Sequence, residues 1–181
     1  MRFPYGVCDF NKVITEGLFY CDRTDRIALL ENRGYFLLFL RPRRFGKSLL
    51  LSMLENYYDV ARKDRFQDLF GHLLIGKNPT PLRNQYFILK WDFSCVDPSG
   101  SAEDIKRVFH NHINACIEAF AVYYENYLIH EINVDLNDAI RSIRSLLSAT
   151  RKSGHPVYLL IDEYDNFANE VMMGVRREKK D

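Results

Sequence analysis

The sequence predicts an α/β fold, a three-layer parallel sheet flanked by helices. Three observations carry this. The apolar run Tyr35–Leu40 leads through a turn into Gly46-Lys47-Ser48 and Leu49-Leu50-Leu51, which reads as strand, loop and helix. A second run, Val157-Tyr158-Leu159-Leu160-Ile161, ends in Asp162-Glu163. Between them Tyr86–Phe93 alternates, and two longer stretches keep a helical stripe. Strands separated by helices give a parallel sheet with right-handed crossovers.

Residues 1–34 form an N-terminal segment leading into this core. A short helix fits within Asp9–Gly17 and a short strand fits Leu18–Cys21. Asp22 or Thr24 can cap a helix from Asp25 to Asn32 that Gly34 closes. Tyr35–Leu40, apolar without interruption, has the pattern of a central parallel strand buried on both faces. A helix follows from Lys47 to about Val60, apolar most of the way round, as expected where it packs on the sheet. Phe66–Phe70 reads as a short helix and Asn78-Pro79-Thr80-Pro81 as a loop. In Tyr86–Phe93, Lys90 and Asp92 occupy alternate sites, which marks an edge strand. After a turn at Asp97–Gly100, Ser101 and Asp104 form a helix-start box. That helix runs to about Tyr127, with Ile105, Phe109, Ile113, Cys116, Phe120, Tyr123 and Tyr127 as its stripe. Another spans Leu136–Thr150, with Leu136, Ile140, Ile143 and Leu147 expected to face the core. Residues 35–175 make up the core, and 176–181 a solvated charged tail.

The chemistry concentrates in two places. In Arg41-Pro42-Arg43-Arg44-Phe45-Gly46-Lys47-Ser48 the phosphate-binding pattern G-x-x-x-x-G-K-[ST] is complete except for its first glycine, replaced by Arg41. Backbone N–H groups at such a loop and helix start have no intrahelical partner and point at a phosphate. Gly46 lets the backbone approach closely. Lys47 brings a mobile point charge, and Ser48 a hydroxyl for Mg²⁺. A loop needing positive φ at Arg41 would disfavour arginine by roughly 1–2 kcal/mol. Pro42 argues instead for a stiffer turn with Arg41 extended. At the far end, a buried strand would deliver Asp162 to the C-terminal edge of the sheet, where ligands bind in open α/β sheets. There Asp162 can hold Mg²⁺, and Glu163 can orient or deprotonate a water. Asp92 ends its strand on the same edge, as a functional group or as a turn cap.

These residues resemble the signatures of the predicted AAA-ATPase-like family, P-loop proteins of the ASCE/STAND-like kind. The resemblance rests on Arg41–Leu49 and Leu160–Asn166. It extends through Tyr5-Gly6, Asp9-Phe10, Tyr20 with Asp22 and Thr24, Leu54–Asp59, Ile75–Pro79 and Asp92-Phe93-Ser94, and runs from about Phe3 to Glu170. It implies a P-loop NTPase core that binds ATP and Mg²⁺. Arg43, Arg44, Phe45, Gly46, Lys47, Ser48 and Leu49 would hold the nucleotide, Ser48 and Asp162 the metal, with Lys47 and Glu163 catalytic. In proteins of this kind residues before the first core strand help hold the adenine, and Phe10 and Tyr20 are the candidates, set against ordinary aromatic packing. Relatives of this family continue past the Asp162 strand with the rest of the ATPase core and often a nuclease-like domain. The sheet is therefore expected to be incomplete on its C-terminal side, to be completed by a missing region or a protein partner, or else to pair the Tyr35 and Val157 strands directly. Hydrolysis by this chain alone stays open. The alternatives are a nucleotide-gated interaction module without turnover, and nucleic-acid binding through Arg41, Arg43 and Arg44.

Composition bounds these readings. A length of 181 residues suggests one domain. A 47% hydrophobic share with 14% aromatics supports a real core and argues against disorder. A net charge of +1 provides no global nucleic-acid signature. Cys8, Cys21, Cys95 and Cys116 are scattered, which reads as reduced thiols rather than a metal or redox motif. His110 and His112 face different ways on one helix. The N-terminus has no signal-peptide pattern, and no apolar run reaches the ~20 residues a membrane span needs. A soluble cytoplasmic protein is the expectation.

Overall fold

The computed structural model describes residues 1–40, 42, 44–97, 100–165, 168 and 172. The chain divides into two units, Met1–Tyr86 and Phe87–Asp181. The first is helical: α1 (Phe10–Thr15), α2 (Ile27–Glu31), α3 (Lys47–Tyr58), α4 (Phe66–Phe70) and α5 (Leu74–Lys77). The second holds β1 (Phe87–Asp92), α6 (Ala102–Tyr123), α7 (Ala139–Lys152) and β2 (Val157–Asp162).

The first unit is built on aromatic contacts. Phe10, Tyr57 and Phe70 are fully buried. Phe70 stacks on Phe10 at 4.9 Å and on Phe66 at 5.3 Å, and meets Tyr57 edge-on at 5.4 Å. Such pairs add to burial when rings are offset or tilted. Asp9 caps α1 by accepting from the Lys12 N–H. The Phe10 N–H then donates to Ser52 Oγ at 2.9 Å, tying α1 to α3. Asp22 Oδ1 accepts from the Thr24 N–H and hydroxyl, and Asp22 Oδ2 from the Leu74 N–H at 2.7 Å. Burial alone would raise the Asp22 carboxyl, but the hydrogen bonds from Thr24 and Leu74 outweigh it and hold it below its ordinary value. Glu31 Oε1 accepts from both the Tyr58 and Thr80 hydroxyls.

The second unit is organised by a parallel pair. Phe87 pairs with Val157, and the register continues to Asp92 opposite Asp162. The strand expected at Tyr86–Phe93 is thus present and lies at an edge, since β1 and β2 form a two-stranded sheet. α6 packs on β1. Phe87 meets Tyr124 at 4.8 Å and Phe120 at 5.9 Å, and the Tyr124 hydroxyl accepts from the Ile88 N–H at 2.9 Å. The predicted start of α6 forms a full capping box between Ser101 and Asp104.

Several expectations are corrected. The chain is a mixed helix–strand protein with a small parallel sheet flanked by helices, and the three-layer sheet is not seen among the described residues. Tyr35–Leu40 forms no strand. Its side chains are exposed, Tyr35 at 101% and none of the six below 41%. A run patterned for burial on both faces needs ladder partners on both sides, and no strand of the described residues pairs with it. Leu18–Cys21 is irregular. Helix α7 begins at Ala139 and buries Ala139, Ser142, Leu146, Ala149 and Thr150, not the larger stripe. Leu136, Ile140 and Leu147 are exposed. Ser142 Oγ accepts from the Asp135 N–H at 2.9 Å, which turns the small-residue face inward. The predicted tail at 176–181 lies outside the described residues.

Candidate functional site

Arg41 and Arg43 lie outside the described residues; the loop can be followed from Arg44. Arg44 has φ 68° and Gly46 φ 78°, two left-handed positions with Phe45 between them. A Cβ on Gly46 would meet nothing within 4 Å, so it is the backbone angle, not crowding, that calls for glycine. Gly46 is the N-cap of α3 and offers no side chain, while its carbonyl accepts from the Leu50 N–H at 2.9 Å. The Lys47, Ser48 and Leu49 N–H groups therefore open the helix without intrahelical partners. No acidic residue sits in the first turn of α3 to satisfy them or offset the helix dipole. Lys47, Ser48 and Leu49 are half-buried, and Phe45 is exposed. Arg44, Phe45, Gly46, Lys47, Ser48 and Leu49 are thus brought together on one loop and first turn. The arrangement suits an anion.

The second segment lies in the other unit. β2 carries Asp162 to its C-terminal end, where it is 7% exposed. Glu163 turns the chain at φ 55°, and its N–H donates to Asp162 Oδ1 at 3.1 Å. The in-register neighbour, Asp92, is exposed and caps the following turn by accepting from the Ser94 N–H at 2.9 Å. The capping role weighed for Asp92 is therefore present. Nearby, His112 Nε2 lies 3.7 Å from Cys116 Sγ. Burial lowers the His112 imidazole against the opposing pull of the Asp92 charge. Burial and then Asp92 both push the Cys116 thiol up. Among the described residues no group of three or more His, Cys, Asp or Glu could hold a metal ion.

The adenine candidates fare differently. Phe10 is fully buried against Phe70, so it is core and offers no face to a base. Tyr20 is half-buried and meets Phe10 edge-on at 5.3 Å. Burial, then the Asp22 charge, pushes its hydroxyl up to about 12. An open cavity of about 600 Å³ in the second unit is lined by the 133–137 loop with Arg141 and Ser145. Arg141 is already paired there with Asp135 at 3.0 Å. Sequence reasoning missed the left-handed backbone at Arg44 and Glu163, because neither residue type signals it.

The profile of the family described as predicted AAA-ATPase matches residues 4–180, nearly the full length. The chain belongs to that family. No curated protein and no solved structure matches it. Family membership points to nucleotide binding in general. No helix among the described residues is long and apolar enough to cross a membrane.

Proposed function

We propose that the chain binds Mg-ATP and that the intact site hydrolyses it. The observation that carries this is the loop ahead of α3. It combines left-handed Arg44 and Gly46 with unpartnered N–H groups and Lys47 in the first turn. Lys47 meets the β- and γ-phosphates as a point charge. Arg43, Arg44, Phe45, Gly46, Ser48 and Leu49 complete the cradle. Ser48 and Asp162 are the magnesium residues, and the metal would neutralise charge building on the transferred phosphoryl group. Glu163 is the base that orients and deprotonates water.

A second reading, a nucleotide-gated interaction module without turnover, draws support from the second unit. β2 has β1 as its sole strand neighbour among the described residues, which leaves an apolar edge for a protein partner that completes the sheet. Nucleic-acid binding through the arginines finds less support, since a net charge of +1 gives no global basic signature.

Nucleotide binding by equilibrium dialysis and phosphate release test both readings. Lys47→Ala abolishes ATP binding, and Glu163→Gln keeps binding while stopping hydrolysis. Unaltered turnover in Glu163→Gln removes that residue as base. Binding without enzyme-dependent phosphate release selects the gated module.

A further inference from the structure

Helix α6 carries a pair of side chains that neither candidate segment uses. His112 and Cys116 stand four residues apart on it, so one turn brings both to the same side. His112 Nε2 lies 3.7 Å from Cys116 Sγ, and neither atom has another hydrogen-bond partner among the described residues. Both residues are half-buried, next to the buried Ile113 and Ile117, so a small solute can still reach them. The imidazole is held from the residue that follows β1. The Phe93 ring packs against it at 5.3 Å, and Phe93 is itself buried and stacked on Phe109 at 5.8 Å.

The spacing of the two atoms matches a chelate. Sulfur at ~2.3 Å and nitrogen at ~2.0–2.1 Å from a tetrahedral ion stand about 3.6 Å apart. The same distance suits a thiol–imidazole hydrogen bond, and the ion takes the place of the shared proton. Thiolate and imidazole together select Zn²⁺ or Cu⁺, whereas Mg²⁺ takes oxygen ligands. Asp92 favours a cation here, because its negative charge acts on both groups. Its carboxylate accepts from the Ser94 N–H and is not a third ligand.

We propose that His112 and Cys116 chelate a thiophilic, closed-shell cation of the Zn²⁺ class, using residues that the Mg-ATP reading does not. On binding, the Cys116 thiol gives its proton to the buffer. The thiolate and the neutral imidazole nitrogen each form a bond to the ion, two of its waters leave, and no electron moves. Two protein donors are fewer than the three or four of catalytic and structural zinc sites, so water fills the other positions and the affinity is modest. The inference stands apart from the nucleotide reading.

The test titrates the reduced full chain with Cd²⁺, read by the ultraviolet thiolate-to-cadmium charge-transfer band, and then displaces Cd²⁺ with Zn²⁺. One equivalent is expected to bind in the wild type, and in a variant that keeps Cys116 but carries Cys8→Ser and Cys21→Ser. Cys116→Ser should abolish the band. His112→Gln, which can still hydrogen-bond but ligates poorly, should weaken binding at least ~tenfold. No band in the wild type, or a band that persists in Cys116→Ser, overturns the proposal. Unchanged affinity in His112→Gln overturns it as well, by removing the imidazole as a ligand. If either ligand variant does not fold, alkylation of the wild type decides. Zn²⁺ must then slow iodoacetamide labelling of Cys116, mapped by mass spectrometry, and leave exposed Cys8 and Cys21 unchanged. Equal labelling of Cys116 with and without Zn²⁺ sinks the site.

Discussion

Two apolar runs lead into the two candidate site segments, and they meet opposite fates. Val157–Asp162 is a strand in register with β1 from Phe87 to Asp92. Tyr35–Leu40 is equally apolar, but it is irregular and exposed. Hydrophobicity is common to both, so what separates them is the availability of a strand partner among the described residues. A strand's N–H and C=O groups are satisfied by a neighbour, unlike those of a helix, which bond within the segment. β2 has β1 beside it and α6 behind β1. The Tyr35 run has no strand to pair with among the described residues.

The sharpest way to break this comparison is a matched pair of truncations. Leu160 is 3% exposed, and Leu160→Ala is expected to cost ~2–5 kcal/mol. The same change at exposed Leu38 should stay within about 0.5 kcal/mol. Urea unfolding measures both, and a large loss at Leu38 would mean that the Tyr35 run is paired in solution. Tyr124→Phe sharpens the account of the second unit. It removes the hydroxyl that accepts from the buried Ile88 N–H, and should cost ~1–3 kcal/mol by the same measurement.

In the first unit, acid should act through Asp22. Its folded carboxyl lies below the ordinary 3.8, so its stabilisation is present above that value and is lost as pH falls through the lower folded value. Asp22→Asn should flatten the acid limb of stability against pH, read by thermal melts from pH 2 to 7. Ser101→Ala, which opens the capping box of α6, should cost about 1 kcal/mol.

The sequence was legible where the signal is local. Ser101 with Asp104, Asp9 before α1, the helix opened by Lys47 and the short Phe66–Phe70 helix all follow from neighbouring residues. β1, β2 and their parallel sense were legible from pattern and order. The fate of Tyr35–Leu40 was not, because pairing depends on residues far away in the chain. The buried face of α7 was misread for a related reason. Ser142 and Ala149 pack closely where Ile140 and Leu147 were expected, and a periodic stripe does not say which of two amphipathic faces is covered. Gly46, Lys47 and Ser48 open α3 and Asp162 ends β2, as the local pattern indicated. The left-handed turns at Arg44 and Glu163 were hidden, because glycine is the usual marker of that conformation.

Thermal unfolding of the purified chain with and without Mg-ATP, beside Lys47→Ala, tests the central claim most directly. A ligand that binds only the folded state at ~100 times its Kd adds roughly 2.7 kcal/mol of stability. The account predicts a transition that moves up with Mg-ATP in the wild type and stays put in Lys47→Ala. Equal shifts in both, or none in the wild type, would contradict it.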